Sequence, residues 1–164
     1  IKIDVLNKQY KKNLDSIKFA YKKSPYFADV YPLVENVLSA NHDTIADLSI
    51  SSVKSISSYL DLDTKFKRSS EDFQHTKNYK KNERLKTITC LENASYYINA
   101  IGGKKLYDKS DFKASGIDLN FLNPTLESYQ QFDNEFVPGL SIIDVLMFNS
   151  KKRSKELLQN YQLE

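Results

Sequence analysis

The 164 residues include one cysteine, one methionine, two histidines and no tryptophan. A lone cysteine, Cys90, closes no internal disulfide and builds no cysteine-rich metal site, and it favours a reducing compartment. His42 and His75 stand far apart in polar breaks where they would face water, and neither has a Glu, Asp or Cys at zinc-ligand spacing. No metal site is therefore expected, and no Ser-His-Asp or Cys-His arrangement can be drawn. No apolar run approaches the ~18 residues that cross a bilayer, which excludes a transmembrane helix. The chain opens without an apolar signal-type segment and without methionine. This predicts a cytoplasmic piece of a longer protein rather than an intact secretory precursor.

What is present is a core. Hydrophobic residues make up 40% and aromatics 12%, chiefly 11 Tyr and 9 Phe, which argues against a disordered chain and suits one domain. The net charge of +3 hides alternating blocks. Residues 1–23 carry seven Lys against two acids, 24–64 one Lys against six acids, and 65–86 eight Lys or Arg against three. Residues 87–150 carry four against eight and the last fourteen four against two, so the blocks nearly cancel. Nucleic acid is not an expected partner, because phosphate attraction needs a sustained excess on one face. The 65–86 block, with turn residues and a helix start, is the best candidate for holding an anion.

Leu6, Tyr10, Leu14, Ile17 and Tyr21 recur at helical spacing and end at Ser24-Pro25. Phe27, Val30, Val34 and Val37 predict a second helix, with Pro32 inside it. After the polar break Asn41-His42-Asp43, residues Leu48, Val53, Ile56 and Leu60 predict a third. Beyond them, Thr64–Arg68 alternates like a short strand. Residues 69–82 form a polar loop, and Glu83–Asn93 resumes helical spacing, with Cys90 packed on it. Ser95–Ile101 reads as a buried strand closed by Gly102-Gly103. Asp108–Ser115 reads as a short helix stopped by Gly116, and Ile117–Leu122 as a third strand closed by Asn123-Pro124. Leu140–Phe148 is an apolar helix in which Ser141 and Asp144 have capping-box spacing. The expected fold is α/β. Three helices precede a small parallel sheet of about three strands with βαβ crossovers, a fragment of a larger Rossmann-like or nucleotidylyltransferase-like domain. The expected segments are 1–62 helical, 63–149 α/β and 150–164 a charged helix or tail, all within one domain.

In open α/β sheets ligands bind beyond the carboxyl ends of the strands. Arg68, Ser69 and Ser70 follow the first expected strand, and a guanidinium with two hydroxyls suits a phosphate or carboxylate. Gly102, Gly103 and Lys104 follow the second. Glycines there admit close backbone approach, though the pattern is neither a P-loop nor a dinucleotide fingerprint. A polar loop and a simple turn are the plain alternatives for these two sites. Arg84, at a helix start, opposes the helix dipole and needs a partner, either structural or a ligand. Asp144, among Ile142, Ile143, Val145 and Leu146, must be paired or solvent-facing, as a helix cap, a salt-bridge partner or a functional acid. Tyrosines such as Tyr96, Tyr97, Tyr107 and Tyr129 either stack on a base or sugar or fill core and rim. The residues specify no cofactor.

Four segments together carry a resemblance: KKSPYFADVYPLVENVL (22–38), NERLKTI (82–88), YYINAIGGKKLYDKSDFKASGIDLNF (96–121) and YQQFDNEFVPGLSIIDVLMFN (129–149). In this order they resemble the WbqC-like family of bacterial O-antigen and other surface-polysaccharide gene clusters. Its pattern opens with a segment of the type H-Q-P, which this sequence lacks. The resemblance thus implies that the chain corresponds to the C-terminal two thirds of such a protein, with little activity alone. The residues that match the pattern are Arg84, Gly102, Tyr107, Gly116, Tyr129, Phe136, Pro138, Ser141, Asp144 and Asn149. The resemblance implies a transferase of lipopolysaccharide or other polysaccharide biosynthesis, moving an amino acid such as glycine, or an acyl group, onto a sugar. Its small-molecule donor would be a nucleotide-sugar or an activated acyl or aminoacyl compound. Arg84 and Asp144 are then the candidate catalytic pair, with Arg68, Ser69, Ser70, Gly102, Gly103, Lys104, Tyr107 and Ser141 as candidate substrate or phosphate ligands. Two rivals stand beside it. One is a nucleotidylyltransferase-like enzyme that activates a small acid or sugar, and the other a non-catalytic assembly protein that contacts other enzymes of the same cluster.

Overall fold

The computed structural model describes residues 9–133 and 135–164. Its elements in chain order are α1 (Gln9–Tyr21), α2 (Phe27–Ser39), α3 (Ile45–Tyr59), α4 (Lys81–Leu91), β1 (Tyr96–Ala100), α5 (Lys109–Lys113), β2 (Asp118–Pro124), α6 (Ile142–Phe148), α7 (Lys151–Leu157) and β3 (Tyr161–Leu163). Single 3₁₀ turns lie at Gln74–Thr76 and Ile101–Lys105. The chain divides into two units, Ile1–Thr64 with Leu126–Gln159 and Lys65–Thr125 with Asn160–Glu164.

The first unit holds α1, α2, α3, α6 and α7, and its core follows from helical spacing. Val30, Tyr31 and Val34 on α2 meet Leu60, Leu146 and Met147 in one buried cluster, against which Leu14, Ile17 and Tyr21 of α1 pack. Each such side chain taken fully from water contributes about 1.5–3 kcal/mol. The expected helical positions from Tyr10 onward lie on α1; Leu6 lies outside the described residues. Thr44 starts α3 with a reciprocal capping box. Its hydroxyl accepts from the Asp47 amide at 3.2 Å, and the Asp47 carboxylate accepts from the Thr44 amide at 2.9 Å. His42 is not simply turned to water: its Nε2 donates to the Val37 carbonyl at 2.8 Å, near the end of α2.

The second unit is built on a three-stranded sheet of order β1-β2-β3. β1 and β2 run parallel, joined through α5, with Tyr97 beside Leu119 and Asn99 beside Phe121. Alternation then decides burial. Leu119 and Phe121 turn to a core shared with Phe112 and Ile117, on which Tyr97, Leu85, Ile101 and Tyr107 pack. Tyr97 stacks on Phe112 at 5.7 Å between ring centroids. Gly116 adopts φ +75°, a left-handed stop that glycine takes without strain.

Several expectations need correction. Thr64–Arg68 is not a strand. Its only apolar side chain, Phe66, is exposed, so it has no face to bury, and the Arg68 amide donates instead to the Asp72 carboxylate in a turn. The third strand comes from the tail, whose α7 is followed by β3. It runs antiparallel to β2, making the sheet mixed rather than parallel. The described strands therefore contain one parallel crossover, and no doubly wound Rossmann-like arrangement is built from them. β1 is also not buried: Tyr96 is 64% and Ile98 51% exposed, because β1 lies at the sheet edge with one face open. On α4, Cys90 is exposed rather than packed.

Gly116→Ala is expected to cost about 1 kcal/mol or more, from backbone strain alone, since an added Cβ there meets nothing within 4 Å. Urea denaturation with an unchanged m-value checks this.

Candidate functional site

In the second unit the start of α4 comes to the segment that follows β1. The Lys81 ammonium lies 5.0 Å from the centre of the Tyr107 ring, just after the Ile101–Lys105 turn that leaves β1. Three residues further along α4, Arg84 is committed to the preceding loop. Its Nε donates to the Thr76 hydroxyl at 3.1 Å, and a terminal nitrogen donates to the Ser69 carbonyl at 3.0 Å. Thr76 is fully buried and its hydroxyl donates in turn to the Phe73 carbonyl. The guanidinium thus fixes residues 69–76 over the helix start. Its partners are neutral, and a guanidinium has five N–H donors, so its charge is undiminished.

The charge balance around Arg84 is uneven. Lys67, Arg68, Lys86, Lys104 and Lys113 pair with Glu92, Glu71, Asp111, Glu164 and Asp118. Among the described residues, Lys77, Lys80, Lys81 and Arg84 have no carboxylate at ion-pair distance. Glu83, in the first turn of α4, is exposed and forms no ion pair there. The basic block read from the sequence is therefore partly neutralised toward Lys67–Arg68 and left charged at the start of α4.

The sequence-predicted ligands are distributed as follows. The Ser69 carbonyl is held by Arg84, and the side chains of Ser69 and Ser70 are exposed. Arg68 pairs with Glu71 at 3.1 Å and Lys104 with Glu164 at 2.5 Å. Gly102 is exposed, and an added Cβ would meet nothing within 4 Å. Gly103 is buried, and a Cβ there would come within 3.1 Å of the Asn99 side chain, which would have to give by a few tenths of an ångström. Tyr107 is half-buried, edge-on to Phe112 at 6.1 Å. Lys77, Lys80 and Lys81 were not singled out from the sequence; their position beside Arg84 in the basic block was the available signal.

Asp144 and Ser141 belong to the first unit. The Ser141 hydroxyl caps α6 by accepting from the Ile143 amide at 3.3 Å. Asp144 does not complete a capping box. It is 3% exposed, and its carboxylate accepts from Tyr129 at 2.6 Å, Gln131 at 2.7 Å and Tyr21 at 3.1 Å. It is held by two phenols and an amide rather than by a cation. Gln131 also clasps Val137, accepting from its amide at 2.7 Å and donating to its carbonyl at 3.3 Å. The clasp closes a short loop in which Phe132 takes φ +50°, a costly value for a phenylalanine. Its ring packs edge-on to Phe148 at 4.7 Å, and Phe136 packs on Tyr129 at 4.9 Å. Asn149 ends α6 by donating to the Val145 carbonyl. Tyr21 and Gln131 are the partners that the sequence did not reveal; an acid set in an apolar helix was the only sign that partners had to exist.

Arg84 and Asp144 thus sit in separate units, each inside its own network. The fold and these two networks define an α/β protein with a small mixed sheet and a cationic helix start. The sequence profile of the WbqC-like protein family matches residues 1–156, and the chain belongs to that family. No curated protein and no solved structure matches it. None of the described helices is long and apolar enough to cross a membrane.

Burial and the neighbouring Asp144 carboxylate push the Tyr21 phenol up to about 12, and the same causes raise Tyr129 further. A phenol whose folded value exceeds its unfolded value of 10.0 adds stability that is complete below pH 10 and lost as pH rises toward about 12. Tyr21→Phe should therefore flatten the fall in unfolding stability between pH 10 and about 12, as measured by urea midpoints across that window. An unchanged slope would mean that Tyr21 does not donate to Asp144.

Proposed function

We propose that this protein is a transferase of bacterial surface-polysaccharide biosynthesis, which binds the phosphate of an activated donor at the start of α4 and moves an amino acid or acyl group onto a sugar. Family membership supports the setting. The observation that carries the site is the group Lys77, Lys80, Lys81 and Arg84, left without acidic partners around the start of α4, where Lys81 rests on Tyr107.

The chemistry follows from the charges. A phosphate or diphosphate brings two or more negative charges, and Arg84 has N–H donors beyond those spent on Thr76 and Ser69. Lys81, resting on Tyr107, places a second charge beside an aromatic face that suits a sugar or base. In this reading Ser69 and Ser70 offer hydroxyls at the loop edge, and Gly102 leaves the backbone open beside Gly103 and Lys104. Arg68 and Lys104 exchange their carboxylate partners, Glu71 and Glu164, for the phosphate. Cations held there stabilise the charge that develops on a departing phosphate. In the other unit, Asp144 serves as a positioning residue: with Ser141 it fixes the 129–141 segment and touches no reacting atom.

The test is binding of a nucleoside diphosphate, a nucleotide-sugar and an acyl-coenzyme A to the purified chain, read by thermal shift and calorimetry. At least one should raise the melting temperature, with affinity that falls as salt rises. Combined Lys80→Ala and Lys81→Ala should weaken binding about tenfold or more, about 1.4 kcal/mol, while leaving the melting temperature of the free protein unchanged. No shift with any of the three compounds, or equal affinity in the variant, would overturn the site.

A further inference from the structure

The first unit contains a cavity of about 100 Å³ that the phosphate chemistry does not use. Its walls are Val34, Val37 and Leu38 of α2, Ile56 of α3, and Ile143 and Leu146 of α6. Ser52 of α3 also faces it, yet no polar surface is exposed inside. The reason is geometric. The Ser52 hydroxyl donates at 2.8 Å to the Ser49 carbonyl one turn back, which leaves carbon facing the cavity. The hollow is open on one side, and water within it finds no hydrogen-bond partner on the walls. A sugar hydroxyl or a phosphate would lose its hydration without replacement. A hydrocarbon gains contacts on entry and leaves water behind.

We propose that this cavity binds the hydrocarbon end of a short acyl chain. The volume admits one narrow guest and no bulky one. Because the cavity is open on one side, the carboxyl or thioester end can stay in water while the alkyl end is buried. Walls contributed by three helices, rather than one exposed face, favour a small recessed ligand over a docked protein segment. The inference rests on the first unit alone and holds whether or not the start of α4 binds phosphate.

The test is a titration of the full chain with sodium octanoate, followed through ¹³C-labelled methyl groups by NMR, with sodium acetate as the polar control. Saturable shifts at the methyls of Val34, Val37, Leu38 and Ile56 are expected with octanoate and not with acetate. Ser52→Leu, which fills the cavity from the α3 side, should weaken octanoate binding at least tenfold and raise the melting temperature. If that variant does not fold, Ser52→Ala should retain octanoate binding, because the hydroxyl takes no part. Tighter binding of octanoyl-coenzyme A than of octanoate would identify an activated donor as the source of the chain, and the reverse a free acid. Wall methyls that stay unmoved in millimolar octanoate, equal shifts with acetate, or undiminished binding by folded Ser52→Leu would each overturn the proposal.

Discussion

A buried carboxylate needs several donors to remain in a protein interior, and in the first unit that requirement is met at Asp144. Its donors come from the end of α1 (Tyr21) and from the long segment before α6 (Tyr129 and Gln131). Removing such a carboxylate would strand three donors, each costing about 1–3 kcal/mol when buried and unsatisfied. The strained Phe132 and the Gln131–Val137 clasp persist because Asp144 fixes one end of the glutamine amide. Four residues that carry the family resemblance, Tyr129, Phe136, Ser141 and Asp144, thus meet around one local arrangement.

The second unit applies the same logic with the opposite sign. Arg84 is satisfied by a hydroxyl and a carbonyl, so it orders the loop before α4 without spending its charge. Ion pairs neutralise much of the remaining basic block, yet the helix start keeps its cations. Charge left unpaired at the start of α4, beside the Tyr107 ring, is what an anionic ligand would need. The electrostatic pattern, more than any single residue, makes this the candidate site.

Much of the fold was legible because it is local. Leu14, Ile17 and Tyr21, and then Val30, Val34 and Val37, repeat at helical spacing and pack as that spacing implies. Gly116 marks the stop of α5 because a residue without a Cβ takes the left-handed backbone conformation freely, and alternation over Ile117–Leu122 marks β2. What failed was non-local or lacked a buried face. Thr64–Arg68 alternates, but Phe66 is its one apolar side chain and stays exposed. The Tyr161–Leu163 strand is three residues long, and only its pairing with Leu122–Pro124, some forty positions away, defines it. Of the candidate site, the sequence pointed to Arg84 and Asp144 as residues needing partners. It did not supply Thr76 for the first, or Tyr21 and Gln131 for the second, since a hydrogen bond leaves no periodic trace. Gly103, read from the sequence as room for a ligand to approach the backbone, has the Asn99 side chain beside it, a neighbour that no local pattern gives away.

The most direct test of Asp144 as the fastening point of the first unit is a double-mutant cycle of Asp144→Ala and Tyr129→Phe, measured by urea denaturation. Removing a charged acceptor and its phenol donor separately and together isolates their coupling. A coupling of about 2 kcal/mol is expected for a buried hydrogen bond to a carboxylate. A coupling below about 0.5 kcal/mol, the ordinary scatter for independent sites, would contradict the account.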